Sequence, residues 1–154
     1  MIETDFINLK VNGENITVST GDRLLHAIKK TQKSVPTLCY DDRIGPQGTC
    51  RMCLVEVKKD QNINYVASCT YLAENDIEVF THSDTLIDYR KTLLELSLSE
   101  IKWDDQSSEK TKLTNNEFSA AVKEYKPENI FPELEKREVA KDDLHPYIAR
   151  HYDK

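Results

Sequence analysis

The sequence predicts an α+β fold in which a small mixed β-sheet is covered by a helix and followed by a second helix and an extended tail. Apolar and polar residues alternate over several short segments before Phe80, which is typical of half-buried strands. Between two of these segments, apolar residues recur at helical spacing. With 154 residues, 38% of them hydrophobic, the chain is long enough for one core and an appendage.

The N-terminal segment predicts a β-hairpin and a short helix. Residues 6–11 alternate apolar and polar side chains, Asn12 and Gly13 form a strong turn signal, and residues 16–19 resume the alternation. A Thr-Gly-Asp sequence then provides side chains that commonly cap the N-terminus of a helix. In residues 24–30 the leucines and the isoleucine recur at helical spacing. We therefore expect a short helix packed on the hairpin.

The middle of the chain predicts a wrapped loop and three further strands. Residues 35–49 show no periodicity and contain two prolines and two glycines. Residues 53–58 and 64–68 alternate as strands joined by a polar turn, and residues 77–81 form a last strand. Together with the hairpin they give the mixed sheet.

A second helix is predicted from about Asp84 to Ser99, and it should end the compact region. Its leucines and isoleucine share one side, and Arg90, Lys91 and Glu95 are expected to lie elsewhere on the helix. We accordingly predict a domain over residues 1–100.

Residues 101–154 are predicted to be a linker and an extended docking arm with little structure of their own. Residues 104–117, beyond Trp103, are almost entirely polar and cannot bury enough surface to order themselves. Residues 118–125 suit two helical turns, and three prolines punctuate the tail beyond them. An arm of this kind needs another surface on which to rest.

Charge and cysteine usage exclude several classes of function. The net charge is −6, which leaves no basic stripe for nucleic acid. There is no apolar run of membrane-spanning length and no signal peptide, so we expect a soluble cytoplasmic protein. Because the cytosol keeps thiols reduced, four cysteines in such a chain favour metal binding or catalysis over disulfides.

The four cysteines form a pattern suited to a metal cluster. Cys39, Cys50, Cys53 and Cys69 are separated by ten, two and fifteen residues. Two cysteines that are two residues apart can present both sulfurs on one side of a tight turn. If Cys53 opens one strand and Cys69 closes its hairpin neighbour, chain reversal brings these two together. Nearby glycines allow backbone N–H groups to approach the sulfurs.

A structural zinc site that stabilises an interaction module is the main alternative. Zinc ribbons and fingers usually offer two close cysteine pairs, whereas Cys39 and Cys69 each stand alone in the sequence. His26 and His82 have no spacing that pairs a nucleophile with a base, so we predict surface positions for them. His145 and His151 in the tail lack companion ligands.

The segments 37–40, 48–57 and 68–69 carry a family resemblance. Their sequences Thr-Leu-Cys-Tyr, Gly-Thr-Cys-Arg-Met-Cys-Leu-Val-Glu-Val and Ser-Cys resemble the N-terminal ferredoxin domain of the NADH dehydrogenase large iron-sulfur subunit. The same domain occurs in hydrogenases and in the alpha subunit of formate dehydrogenases. The resemblance covers residues 6–98 and implies a β-grasp, 2Fe-2S ferredoxin-like domain. It also implies one 2Fe-2S cluster on Cys39, Cys50, Cys53 and Cys69.

The chain departs from this family after Leu98. In many members the second helix leads into a histidine and three cysteines that hold a 4Fe-4S cluster, but no cysteine follows Leu98 here. Residues 142–154 look like the segment that precedes a module with two 4Fe-4S clusters in such subunits. We therefore expect either a fragment or a small electron-transfer subunit that keeps a docking arm.

The resemblance implies an electron carrier and not an enzyme acting on a substrate. One electron would move at a time, with all four thiolates retained and the cluster cycling between diferric and mixed-valence states. Two-electron chemistry would belong to a flavin, molybdenum or hydrogenase subunit, or electrons would pass to a 4Fe-4S ferredoxin module. The loop from Tyr40 to Arg51 would face the partner, with Arg43 and Arg51 meeting carboxylates.

Overall fold

A computed structural model describes residues 5–100 and 117–128 of the chain. The helices are α1 (Leu24–Lys29), α2 (Asp84–Glu100) and α3 (Glu117–Tyr125). The strands are β1 (Phe6–Val11), β2 (Glu14–Ser19), β3 (Tyr40–Asp41), β4 (Gly45–Pro46), β5 (Leu54–Lys59), β6 (Asn62–Ala67) and β7 (Glu78–Phe80).

Five of the strands form one mixed sheet in the order β2-β1-β7-β5-β6. The hairpins β1-β2 and β5-β6 are antiparallel, and β7 lies between them, parallel to β1 and antiparallel to β5. Asn12 and Gly13 adopt positive φ values of 50° and 86°, as the tight turn between β1 and β2 requires. The predicted α+β class and mixed sheet are confirmed.

The main core lies between the sheet and α1. Strand β1 alternates exposed and buried residues along its whole length, as predicted. Four of the six residues of α1 are buried, and they pack with apolar residues of β1, β2, β5 and β7. Because every second residue of β1 enters the same core as α1, the helix is held against the sheet by hydrophobic burial.

A second, smaller core joins α2 and α3 to the loop that carries the central cysteines. Met52, Leu94, Ala121 and Tyr125 are its buried residues, and Cys50 is one of the partly buried residues packed against it. The loop between two cysteines therefore shares a core with helices that come later in the chain.

The expectation for the polar residues of α2 is wrong in part. Arg90 has no exposed surface, and Glu95 is only 5% exposed. Their charge predicts positions off the apolar side of the helix, but α3 and the 50–54 segment cover this part of α2. A helix with two partners buries more than one stripe, so periodicity alone misassigns these residues.

The remaining element predictions differ from the structure in smaller ways. Strands β3 and β4 form a two-residue ladder inside the segment predicted as an irregular loop. Helix α3 confirms the predicted helical turns, and it contacts α2. The division into residues 1–100 and 101–154 stays a prediction, because residues 101–116 and 129–154 lie outside the described part of the chain.

Candidate metal centre

The β3-β4 ladder determines how the segment between the first two cysteines is folded. Tyr40 pairs with Pro46 and Asp41 pairs with Gly45, so the chain reverses directly after Cys39. The Asp41 carboxylate accepts hydrogen bonds from the Arg43 backbone N–H at 2.8 Å and from its guanidinium, which closes the turn. This reversal returns the chain toward Cys39 by the time it reaches Cys50.

Cys39 and Cys50 form the first cysteine pair. The backbone N–H of Cys50 donates to Cys39 Sγ at 3.3 Å. Burial raises the pKa of the Cys39 thiol, but hydrogen bonds from Cys50 and Thr49 outweigh it and lower the pKa to about 7. Burial dominates at Cys50 and raises its pKa, although backbone N–H groups of neighbouring residues oppose the shift. Both side chains are partly exposed.

Cys53 and Cys69 form the second pair, and both are buried. The backbone N–H and the hydroxyl of Ser68 donate to the Cys53 carbonyl at 3.1 Å and 2.9 Å, which ties the end of β6 to the start of β5. Burial and the neighbouring Cys53 sulfur raise the pKa of the Cys69 thiol to about 12, while the Gly48 N–H acts to lower it. The hairpin thus unites the two cysteines as expected.

The start of α1 fixes the segment around Cys69. The N–H groups of Leu24 and Leu25 donate to the carbonyls of Tyr71 and Ser68, each at 2.9 Å. These N–H groups belong to the first turn of α1, where no intrahelical acceptor exists. The helix therefore completes its own hydrogen bonding by holding the carbonyls on both sides of Cys69.

Three residues of the loop between Cys39 and Cys53 adopt the left-handed backbone conformation: Gly45, Gly48 and Arg51. Gly48 has φ of +67°, and a Cβ at this position would lie 3.0 Å from Thr70 Cγ2. Arg51, between Cys50 and Cys53, has φ of 60° and is exposed. These turns aim backbone N–H groups inward, which is the arrangement that stabilises anionic sulfur.

Arg90 closes the buried side of the loop, and sequence reasoning missed it. Its guanidinium donates to the carbonyls of Met52 at 3.1 Å and Leu54 at 2.7 Å, the residues on either side of Cys53. It also donates to the Thr81 carbonyl at 2.8 Å and to the Tyr125 hydroxyl at 3.3 Å. No sequence signal marked it, because its acceptors are mostly backbone atoms far along the chain.

The donor set fits a thiolate-bound cluster. Four sulfurs are arranged as two pairs; the Cys50 N–H donates to Cys39 Sγ, and backbone N–H groups act to lower the pKa values of Cys39, Cys50 and Cys69. Across residues 5–100 and 117–128, no group of three or more His, Cys, Asp or Glu side chains is arranged to hold a single metal ion. A 2Fe-2S cluster takes four cysteines, divided between two irons.

Comparison with known proteins identifies the domain. Residues 4–84 match the family described as the 2Fe-2S iron-sulfur cluster binding domain. The chain belongs to this family. Its cofactor is a 2Fe-2S cluster, and its fold is the β-grasp, ferredoxin-like fold that the resemblance implied.

Relatives of this 2Fe-2S domain are subunits of large redox enzymes. The chain is 34% identical over 92 residues to the NADH-ubiquinone oxidoreductase 75 kDa subunit of Reclinomonas americana. It is also 34% identical over 92 residues to an NADH-quinone oxidoreductase subunit of Rickettsia bellii. Each match covers 60% of this chain and only 13% of the relative. The chain therefore corresponds to a small part of these relatives.

A solved structure of a redox enzyme also contains a chain with a similar fold. An NAD+-reducing nickel-iron hydrogenase contains a chain that superposes with a TM-score of 0.68 at 27% sequence identity. The match covers 81% of this chain and 51% of the hydrogenase chain. The resemblance to the NADH dehydrogenase and hydrogenase subunits is confirmed.

The described histidines both contact other polar groups. His26 is within 3.3 Å of Asp22 and 3.4 Å of the Tyr40 hydroxyl. His82 Nδ1 lies 2.6 Å from Thr81 Oγ1, and burial followed by the charge of Arg90 lowers its pKa. Both are half-buried, so the prediction of surface positions is only partly met. His145 and His151 lie outside the described residues.

No helix within the described ranges has the length and apolar content of a membrane span. The cytoplasmic location stays a prediction.

Proposed function

We propose that this chain is a one-electron carrier that holds a single 2Fe-2S cluster on Cys39, Cys50, Cys53 and Cys69. The observation that carries the proposal is the arrangement of these cysteines as two neighbouring pairs inside the matched domain. In this assignment Cys39 and Cys50 bind one iron, and Cys53 and Cys69 bind the other. When bound, the cluster accepts and releases one electron without forming a bond to a substrate.

The protein residues hold the thiolates and limit access to them. Cys53 and Cys69 are 2% and 1% exposed, whereas Cys39 and Cys50 are partly exposed. The first pair therefore lies nearer the surface, on the side of the loop from Tyr40 to Arg51. Because the rate of electron transfer falls steeply with distance, this loop is the proposed route for electrons.

We propose that the chain works within a larger redox complex of the NADH dehydrogenase, hydrogenase or formate dehydrogenase type. Support comes from relatives that are subunits of NADH-quinone oxidoreductase and from the similar hydrogenase chain. Its partners would be flavin, molybdenum or hydrogenase subunits, or a 4Fe-4S ferredoxin module. The domain would supply position, potential and docking, while the partners perform two-electron chemistry.

The two arginines of the loop from Tyr40 to Arg51 are not equivalent as docking residues. Arg43 forms an ion pair with Asp41 at 2.8 Å, so its charge is largely compensated by its own neighbour. Arg51 is exposed and forms no ion pair with the described residues, so its charge is available to a partner carboxylate. We therefore expect Arg51 to contribute more to docking than Arg43 does.

Charge reversal tests this docking face. Arg51→Glu should slow electron transfer to a cognate partner at low salt, and Arg43→Glu should slow it less. The measurement is the stopped-flow transfer rate at increasing ionic strength, since screening should remove the difference. If reversing both charges leaves the low-salt rate unchanged, this loop is not the docking face.

Metal analysis tests the cofactor assignment. The chain is purified anaerobically and assayed for iron, sulfide and zinc, then reduced with dithionite for EPR. We expect about two irons and two sulfides per chain and a rhombic signal from one spin, as a single 2Fe-2S cluster requires. Stoichiometric zinc without an EPR signal, from cells that build clusters, would instead indicate the structural zinc module.

Serine substitutions test the four ligands individually. Each Cys→Ser variant should lose the visible absorption of the cluster while the apo chains keep similar circular dichroism. Ser97→Ala is a control, because among the described residues Ser97 Oγ donates only to the Leu93 carbonyl of its own helix, at 2.9 Å. A Cys→Ser variant that keeps the wild-type cluster and EPR spectrum would remove that cysteine from the ligand set.

A further inference from the structure

Arg90 is the most completely buried cation of the described chain. It has no exposed surface, and its guanidinium donates to three backbone carbonyls and one tyrosine hydroxyl. Its Cζ also lies 5.6 Å from the centre of the Tyr125 ring. These contacts join four segments of the fold: the cysteine loop, β5, the residue after β7 and α3.

This buried charge has no carboxylate in contact with it among the described residues. Its hydrogen-bond acceptors are neutral, and Glu124, which acts on it at longer range, has a side chain 58% exposed to solvent. Cys53 also acts electrostatically on Arg90. A buried cation is costly unless an anion offsets it. The thiolate-bound cluster is the buried anion that this site can supply.

We propose that Arg90 is a positioning residue for the cluster, holding the carbonyls on both sides of Cys53 while its buried charge favours the reduced state. The inference rests on the proposed function. It assigns to α2 a role that does not follow from the cysteine pattern, because Arg90 lies 21 residues beyond Cys69.

The electrostatic part follows from charge balance. Uptake of one electron from a donor protein or from dithionite makes the cluster more negative by one charge, and Arg90 keeps its proton throughout. A fixed cation in a low-dielectric setting attracts the more negative state more strongly. The potential should therefore be more positive with Arg90 than without its charge.

The positioning part follows from hydrogen-bond geometry. Nε donates to the Met52 carbonyl, and Nη2 donates to the Leu54 carbonyl. The planar guanidinium presents these two N–H donors as a fork and holds both carbonyls at once. A lysine ammonium cannot reproduce this geometry. Since Cys53 lies between them, the direction of its side chain depends on this fork.

Three variants separate these effects. Arg90→Gln removes the charge and the fork, and Arg90→Lys removes the fork but keeps the charge. Lys91→Gln is the matched control, since it removes one charge from the adjacent and less buried position of the same helix. The readouts are the midpoint potential and the EPR g-values of the cluster-loaded fraction, so partial loss of folded protein does not affect them.

We expect Arg90→Gln to lower the reduced-to-oxidised ratio about tenfold at fixed ambient potential, which is about 59 mV for one electron. Arg90→Lys should stay within about threefold of wild type in that ratio, because the positive charge is kept. It should show altered g-values, because the paired hydrogen bonds to the Met52 and Leu54 carbonyls are lost. Lys91→Gln should change neither quantity, because solvent screens its charge.

The proposal is overturned if Arg90→Gln shifts the midpoint potential no more than Lys91→Gln does. It is equally overturned if the EPR g-values of Arg90→Lys are the same as those of wild type. It is also overturned if neither Arg90 variant folds, because the residue would then be only structural. These failures differ from failure of the proposed function, which would appear as a wild-type chain without a 2Fe-2S cluster.

Discussion

Gly48 is the position where a single methyl group should most clearly disturb the cysteine loop. It has φ of +67°, and an added Cβ would lie 3.0 Å from Thr70 Cγ2. Its N–H also acts on the Cys69 sulfur. Gly48→Ala therefore adds backbone strain and a steric contact beside a proposed ligand.

The cost can be divided into two parts. A left-handed alanine costs about 1–2 kcal/mol relative to glycine, and restriction of the unfolded chain returns about 0.4–1 kcal/mol. The net backbone effect is therefore about 1 kcal/mol. Moving the Thr70 side chain away from the new methyl adds about 1 kcal/mol. We expect Gly48→Ala to lower the free energy of unfolding by about 2 kcal/mol in total.

A neighbouring glycine supplies the control. Gly45 has a similar φ of +74°, but an added Cβ there would meet nothing within 4 Å. Gly45→Ala should therefore cost only the backbone part, about 1 kcal/mol. Thr70→Ser removes the clashing methyl and keeps a hydroxyl, so in the Gly48→Ala background it should restore the remaining difference.

The assay is urea unfolding of the apo chain, followed by the rate of cluster loss from the loaded chain. The first isolates the folding cost, and the second reports disturbance of the Cys69 environment. Equal destabilisation by Gly48→Ala and Gly45→Ala, or no recovery with Thr70→Ser, would refute the steric argument.

Three further predictions concern the second core and its neighbours. Leu94→Ala should lower the free energy of unfolding by about 2–5 kcal/mol in urea, because Leu94 of α2 is fully buried against α3 and the loop that carries Cys50 and Met52; a cost below about 1 kcal/mol would contradict this packing. Tyr125→Phe should cost about 1 kcal/mol by removing the hydroxyl that accepts from Arg90 at 3.3 Å, and an unchanged urea midpoint would show that the contact contributes nothing. The lowered pKa of His82, caused by burial and then by Arg90, means that the unfolded chain binds more protons near pH 6. Stability should therefore fall as pH drops from about 6.5 through the folded pKa, and His82→Gln should flatten the profile from about pH 7 to 5; identical profiles for both chains would exclude His82 as the cause.

Local patterns in the sequence were sufficient for most of the fold. The alternation in β1, the Asn12-Gly13 turn and the helical spacing of α1 each report a local preference that tertiary contacts reinforce. The cysteine spacing, with the residues around it, was also sufficient to indicate the family and its cofactor. The assignment of the four cysteines as ligands remains a prediction.

Other features depended on contacts that sequence periodicity does not encode. The pairing of Cys39 with Cys50 depends on the short β3-β4 ladder, whose two-residue strands are too brief to show a pattern. The packing of α3 on α2 places helical turns from the predicted arm beside the cysteine loop.

Arg90 shows most clearly what sequence patterns cannot predict. A charged residue on a helix is normally predicted to face water, because burying it without partners is unfavourable. Its partners are backbone carbonyls 38, 36 and 9 residues earlier in the chain, together with a tyrosine 35 residues later. Backbone carbonyls occur at every residue, so the sequence cannot show which of them will converge. Only the folded chain brought these acceptors together and made burial of the charge possible.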